Sequence, residues 1–324
     1  MTAQTTDPRL DFEQHRSELT AYCYRMLGSA FDADDAVQEA LTRAWRAYDR
    51  FEGRSSLRTW LYRITTNVCF DMLKAGRHRA LPLDLSEAGS AESPPGAPMV
   101  STTWIEPVPD SMVMAAGGDP ADRTVARESV RLAFIAALQH LPARQRAVLI
   151  LRDVLSWRAK EVGSLLDMTM ASVNSALQRA RATLKAQELT SVDRPDGLSE
   201  HDEQMLSRYV DAFERYDMDA LTDLITEDAT QSMPPFPLWL LGRDDILGWW
   251  TGQGIECRGS RLVPTSANGS PAFAQYRSDL AGGYFPWALQ VLDIEDGRIT
   301  GLTFFLDTER LFPLFGLPNT PPSG

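Results

Sequence analysis

Asn174, Ser175, Gln178, Arg179, Arg181 and Lys185 recur along one face of the stretch from Met170 to Lys185, with Ala171 and Ser172 at its start. Side-chain amides and guanidiniums in such a row neither attack carbon nor bind metal. They match base edges and phosphates, Asn and Gln pairing with adenine and Arg with guanine or the backbone. A second basic set lies between Arg54 and Arg79: Arg54, Arg58, Arg63, Lys74, Arg77 and Arg79, opposed within that span only by Asp71. Trp60 and Tyr62 interleave with these cations, a pattern that suits an unpaired strand, where each stacked base contributes ~1–3 kcal/mol. A tryptophan packed into a helical core is the other reading of Trp60. Cys23, Cys69 and Cys257 are widely spaced and odd in number, which argues against a disulfide framework or a zinc site and leaves buried or free thiols. The chemistry implied is binding, with no cofactor and no metal.

The elements that must hold the first set are legible from spacing. In PARQRAVLILRDVLSWRAKEVGSLLDMTMASVNSALQRARATLK, residues Val148, Leu149, Leu151, Val154 and Leu155 fall on one helical face after Pro142, a residue suited to a helix start. Val162, Leu165 and Leu166 form a second short helix, and Asp167-Met168-Thr169 breaks the pattern. A third helix over 170–185 buries Val173, Leu177, Ala180 and Leu184. Short helices joined by a tight turn, the last carrying amides and guanidiniums outward, make a helix-turn-helix able to enter a major groove. A plain three-helix packing unit with a solvated basic face would show the same pattern.

Residues 9–78 read as helical throughout. Leu19, Tyr22, Cys23, Met26 and Leu27 form one stripe ended by Gly28-Ser29. A second helix opens with acids at Asp32, Asp34 and Asp35, where the helix dipole favours them, and continues through Val37, Ala40, Leu41, Ala44, Trp45 and Tyr48. After a loop at 51–56, a third runs from Leu57 to about Ala75, with Leu61, Ile64, Val68 and Met72 facing inward.

The net charge of -12 suits nucleic-acid binding only once it is located. No lysine follows Lys185, so basic faces are confined to parts of an acidic molecule, which favours polyanion binding at those faces and repels it elsewhere. With no apolar run near the ~20 residues a membrane helix needs and no signal pattern in MTAQTTDPRL, a cytoplasmic protein is expected.

ADDAVQEALTRAWRAYDRFEGRSSLRTWLYRITTNVCFDMLKAGR resembles region 2 of the sigma-70 family, in its extracytoplasmic-function branch, and the helix-turn-helix with VNSALQRARATL resembles region 4. The resemblance implies two all-α domains, a region 2 helical bundle at 9–78 and a region 4 helix-turn-helix at 127–188. It implies RNA polymerase core and promoter DNA as partners. Asp35, Gln38, Glu39 and Arg43 would meet the polymerase. The loop at 51–56 would capture a flipped base, with Arg54, Arg58, Trp60, Arg63, Asn67, Asp71, Lys74 and Arg77 on the -10 element. Ala171, Ser172, Asn174, Ser175, Gln178, Arg179 and Arg181 would meet the -35 element. Asp167 departs from the family, which often has glycine in that turn, and Met170-Ala171 is apolar for a reading surface.

Residues 79–126, rich in proline, glycine and acids, read as a disordered or extended linker. Trp104-Ile105-Glu106-Pro107-Val108-Pro109-Asp110 within it is similar to a motif of factors that carry an extra C-terminal domain, and Trp104 is expected to pack against that domain. A second linker is expected at 189–200. Over 201–318, helices near 203–215, 219–226 and 244 onward precede strand-like runs at 260–267, 272–279, 287–294 and 299–307, the last two joined by the turn Glu295-Asp296-Gly297-Arg298. This resembles the SnoaL-like α+β cone-shaped barrel. Trp239, Trp249, Trp250, Tyr276, Trp287 and Phe304 are expected to fill the cone or to line a pocket for an unknown small ligand around Asp307 or Arg243. Relatives of the fold include polyketide cyclases, but a fold does not carry its activity with it. No His–carboxylate pair stands at readable spacing and all histidines are placed outside the domain's body, so no enzyme is expected. The whole reads as a promoter-specific initiation factor whose C-terminal domain contacts the sigma domains and tunes them in cis. A metabolite sensor or enzyme built on that domain, and a repressor that binds DNA alone, are the rivals.

Overall fold

Two serines set the helix starts of the N-terminal segment in the computed structural model, which describes residues 8–76, 79–114, 120–185, 199–279 and 282–322. Helix α1 (Arg16–Leu27) stops at Gly28, whose φ of 72° only glycine adopts freely. The Ser29 hydroxyl then accepts the Asp32 N–H at 3.1 Å to open α2 (Ala30–Ala47). Ser56 does the same for Thr59 at 3.1 Å, opening α3 (Leu57–Lys74). The predicted apolar stripes of these helices pack together: Leu19, Tyr22, Met26, Val37, Ala40, Leu61 and Val68 are buried.

The chain divides into two compact units. The first joins Met1–Arg79 to Asp110–Asp193, so the two basic segments share one unit. Its later part holds α4 (Asp110–Val113), α5 (Pro120–Glu128), α6 (Leu132–Gln139) and α7 (Ala143–Leu149), the last followed by a π-turn at Ile150–Val154. Then come α8 (Ala159–Leu166) and α9 (Met170–Lys185). Two buried arginines tie the early and late helices together. Arg25 donates to the Ser129 hydroxyl at 2.7 and 3.1 Å and to the Ser129 carbonyl at 3.2 Å. Arg146 donates to the carbonyls of Gln139 and Leu141 at 3.0 and 3.2 Å, to Gln139 Oε1 at 2.6 Å and to the Met26 carbonyl. Burial pushes both guanidiniums down to about 10, so they remain charged at neutral pH and depend on these oxygens to offset desolvation.

The second unit joins Ala80–Pro109 to Arg194–Gly324. Helices α10 (Glu200–Arg215) and α11 (Met218–Leu224) precede β1 (Ile225–Ser232) and β2 (Trp239–Leu241). Next come α12 (Arg243–Thr251), β3 (Arg261–Ala267), β4 (Ser270–Ser278), β5 (Tyr284–Glu295), β6 (Arg298–Phe305) and α13 (Thr308–Leu314). The sheet order is β2-β1-β6-β5-β4-β3, with only the β1–β6 pair parallel. The β3–β4 and β5–β6 hairpins each close on two residues of positive φ, Asn268-Gly269 (56° and 68°) and Asp296-Gly297 (48° and 72°), as the right-handed strand twist demands. Aromatics of α10 and α12, among them Tyr209, Phe213, Trp249 and Trp250, pack with Phe273, Leu292 and Phe304 of the sheet. This is the α+β fold expected, with a sixth and a fifth strand added by β1 and β2. The sequence Ile225–Ser232, ITEDATQS, lacks the alternation of a half-buried strand, and 219–226 was expected to be helical; α11 ends at Leu224 and β1 begins beside it. His201, expected outside this body, lies on α10 beside Gly297 of the β5–β6 turn.

Residues 80–109 are largely extended, as their prolines require, and are stitched to this unit. Isolated bridges join Gly89 to Leu240 and Pro109 to Ala267. Val108 and Asn268 exchange hydrogen bonds at 3.0 and 3.1 Å, and Arg310 meets Glu106 at 2.9 Å. Trp104, Ile105 and Val108 are buried.

Candidate nucleic-acid interface

On α2 the apolar spacing Val37, Ala40, Leu41, Ala44 turns inward and leaves Asp35, Gln38, Glu39 and Arg43 exposed on the other side. Arg43 spans from Glu39 at 2.7 Å to Asp71 of α3 at 3.5 Å. Trp45, expected with the apolar side, is 50% exposed. The signal was present in the spacing: Ala44 takes the buried position, and Trp45 lies two helical turns from Gln38.

Along α3, Trp60, Arg63, Asn67, Asp71 and Lys74 recur at three- and four-residue steps and so share one face. Arg63, Asn67, Asp71 and Lys74 are exposed, while Trp60 is half-buried. Its ring packs on Phe51 at 4.8 Å, Phe12 at 6.3 Å and Tyr48 at 6.4 Å, forming an aromatic wall beside the exposed loop 52–56. Arg54 sits on that loop with Glu52 as partner. Arg58 does not join the α3 face. It is turned to Glu18 at 2.7 Å and lies over the rings of Tyr62 and Trp157 at 5.2 and 5.3 Å. Tyr62, read as a stacking residue, is fully buried against Tyr22 and Trp157. Arg77 lies outside the described residues.

The turn before α9 is tight. A Cβ at Gly163 would lie 2.7 Å from the Met168 carbonyl oxygen, so the helix of Gly163 can approach that turn only without a side chain there. Asp167 ends α8 at φ 53°, ψ 51°, the left-handed conformation that explains why glycine is usual and aspartate tolerated. On α9, Val173, Ala176, Leu177 and Ala180 are buried, and Ala171, Ser172, Asn174, Ser175, Gln178, Arg179 and Arg181 are all exposed. Arg181 is held bidentate by Asp153 of the π-turn at 2.8 and 2.7 Å. Asp167 receives Arg63 of α3 at 2.5 Å, so a cation of the α3 face is engaged by the turn that carries α9.

In the second unit a cavity of about 240 Å³ is lined by Trp249, Trp250, Trp287 and Phe304, as expected, but not by the other expected residues. Trp239 donates its Nε1–H to the Ser86 carbonyl at 2.8 Å, and Tyr276 packs on Phe312 at 5.4 Å in a separate cluster. Asp307 pairs with Arg310 at 3.1 Å, and Arg243 reaches the Thr222 carbonyl at 3.4 Å. Gln231, Gln253, Glu256, Cys257 and Arg277 are among the residues that supply the cavity's polar groups instead.

A helix-turn-helix with an exposed amide and guanidinium face, a helical bundle with a basic face and an aromatic wall, and an appended α+β cone define a modular nucleic-acid-binding regulator. The family model for sigma-70 region 2 matches residues 12–79, that for sigma-70 region 4 matches 131–184, and that for a SnoaL-like domain matches 206–302. The chain is 45% identical over 314 residues to the ECF RNA polymerase sigma factor SigG of Mycobacterium tuberculosis, covering 95% of this chain and 83% of that one. It is 24% identical over 307 residues to the probable ECF RNA polymerase sigma factor SigI of the same organism, with 93% of each covered. The crystal structure of the Mycobacterium tuberculosis extracytoplasmic function sigma factor SigJ shares the fold, with a TM-score of 0.63 at 20% identity over 95% of this chain and 99% of that one. The chain belongs to the extracytoplasmic-function RNA polymerase sigma factors and carries a C-terminal SnoaL-like domain. Sigma factors act with RNA polymerase and promoter DNA.

Proposed function

We propose that the α2 face of Asp35, Gln38, Glu39 and Arg43, with Trp45 at its C-terminal end, binds the polymerase core. The α3 face and the aromatic wall hold the melted -10 strand, and α9 reads the -35 element. The observation that carries this reading is the sorting of α9: every residue assigned to the groove is exposed while the residues between them are buried. The exposed tryptophan supports the polymerase face, because large aromatics in a polar rim are frequent anchors of protein interfaces.

The first unit must open to do this. Elements centred at -10 and -35 are about 25 base-pair steps apart, roughly 85 Å at ~3.4 Å per step, whereas Arg63 of α3 is bonded to the turn beside α9. We infer that free protein holds its DNA-binding halves closed and that polymerase binding separates them. The SnoaL-like unit acts in cis on this equilibrium, through the segment 80–109 that joins the two halves and packs in that unit. Its role is regulatory rather than catalytic: among the described residues that line its cavity, Glu256 is the sole carboxylate and is bonded to Arg277. A cytoplasmic site of action follows from the polymerase partner.

The test is in vitro transcription with core polymerase. The full chain directs initiation at its own promoters; Asn67→Ala and Asn174→Ala lower initiation while core binding persists, and Trp45→Ala lowers core binding itself. Initiation at no genomic promoter defeats the reading.

A further inference from the structure

Among the described residues, the buried side-chain amides of the second unit are satisfied with one exception, Gln231. Tyr209 donates to Gln290 at 2.8 Å, Gln290 to Gln275 at 2.9 Å, and Gln275 to Ser260 at 3.0 Å, so each donor in that chain has an acceptor. Gln231 on β1 is 1% exposed and lines the cavity. Its Oε1 accepts the Trp250 indole N–H at 2.7 Å. Because an indole nitrogen only donates, that bond fixes which end of the amide is oxygen. The Nε2 group is therefore a donor, and it has no acceptor among the described residues.

The same cavity holds a second donor without a partner among the described residues, the Nε–H of Arg277. The Arg277 guanidinium carbon lies over the Trp287 ring, 4.0 Å from its centroid, and Nη2 meets Glu256 at 2.6 Å. Glu256 is 71% exposed and so stands at the rim, and no other carboxylate lines the cavity among the described residues. The remaining walls are largely apolar, with Phe213 meeting Trp250 at 84° and Trp250 meeting Phe304 at 79°. Buried donors without acceptors are costly unless something brings them an oxygen. Apolar walls with a few convergent polar groups are the general form of a small-molecule site.

We propose that this cavity is a receptor site for a flat aromatic acid, its ring held between the tryptophan walls and its carboxylate oxygens taken by Gln231 and Arg277. The volume of about 240 Å³ equals about eight waters of bulk liquid, which fits a fused bicyclic ring with one acidic group. Pro95 of the segment 80–109 forms part of the wall, and Gln253, also in the lining, donates to the Ser93 carbonyl at 2.8 Å. A bound acid therefore touches the strand of chain that links the two promoter-binding halves.

The experiment needs neither polymerase nor DNA, so its outcome is separate from that of the sigma reading. The full chain is titrated with 2-naphthoate, and with 2-naphthylmethylamine as the cationic counterpart, by calorimetry and by the indole N–H resonances of 15N-labelled protein. The naphthoate is expected to bind saturably, about tenfold or more tighter than the amine, and to shift the Trp250 indole resonance. Arg277→Met keeps an apolar stem over Trp287 and is expected to lower naphthoate affinity about tenfold or more while the ligand-free melting midpoint holds. Equal binding of acid and amine, unshifted indole resonances in the wild type up to millimolar naphthoate, or an affinity that Arg277→Met leaves unchanged would each overturn the proposal.

Discussion

Asp167 shows how one residue serves both a turn and a lock. Its left-handed backbone costs on the order of 1 kcal/mol relative to glycine, and its bond to Arg63, between largely exposed side chains, returns roughly 0–1 kcal/mol. Asp167→Gly should thus leave the melting midpoint of the first unit nearly unchanged. It should raise affinity for a single-stranded -10 oligonucleotide by up to about fivefold, the effect of losing ~1 kcal/mol from the closed form. Unchanged oligonucleotide affinity would count against the lock. Glu18 gives a pH signature for the packing of α1 on α3. Burial alone would raise its carboxyl, but hydrogen bonds from Arg58 and His15 outweigh it and hold the group below its ordinary value of 4.5. A carboxyl depressed in the folded state contributes fully above its unfolded value, and the contribution is lost as pH falls from there through the folded value. Melting midpoints between pH 7 and pH 3 should therefore fall less steeply at the acid end for Glu18→Gln than for the wild type. None of this was legible in the sequence, which gives Arg58 as a cation and Glu18 as an acid forty residues away without showing that they meet.

The helices follow from spacing and capping with little ambiguity. Gly28-Ser29, Ser56 and the break at 167–169 stand where α1, α2, α3 and α9 begin or end, because caps and glycine act locally. What failed were judgements about the partner of a face. Trp45 and Tyr62 exchange the roles expected of them, since burial depends on which helix packs opposite. The polar strand β1 was invisible because parallel pairing with β6, not its own pattern, makes it a strand. With β1 unseen, Gln231 could not be found, whereas Arg277 shares the alternation of Phe273 and Gln275 on β4 and could have been. At this scale α9 makes a separable prediction. Arg179→Ala should weaken promoter binding by the holoenzyme similarly across sequences and flatten the log–log salt dependence by about one unit, while Asn174→Ala should relax preference at one base pair. If Arg179→Ala left the salt slope intact, its assignment to phosphate would fail. Arg146 makes another. Arg146→Met strands the carbonyls of Met26, Gln139 and Leu141, each worth about 1–3 kcal/mol when buried unpaired, so the first unit should melt markedly lower.

The two units are interleaved along the chain, and this makes the C-terminal domain more than an appendage. The segment between the promoter-binding halves belongs to the SnoaL-like unit and is held there by the bridges Gly89–Leu240 and Pro109–Ala267, the paired bonds of Val108 with Asn268, and the Arg310–Glu106 ion pair. A chain ended at Leu189 keeps both basic faces but removes the partners of these bonds, and a proline-rich, acidic segment cannot then offset its own conformational entropy. Limited proteolysis should accordingly cut 80–109 rapidly in the truncated chain and slowly in the full one. Transcription with core polymerase reads the consequence. If the SnoaL-like unit restrains the opening of the two halves by anchoring the segment between them, the truncated chain initiates more strongly at low polymerase concentration, where opening limits assembly. The difference narrows as polymerase is raised. A truncated chain that binds core but does not initiate would instead make the anchored segment part of the working holoenzyme. Equal proteolysis of 80–109 in both chains would remove the basis for either outcome, because the SnoaL-like unit would then have no hold on the strand through which it acts.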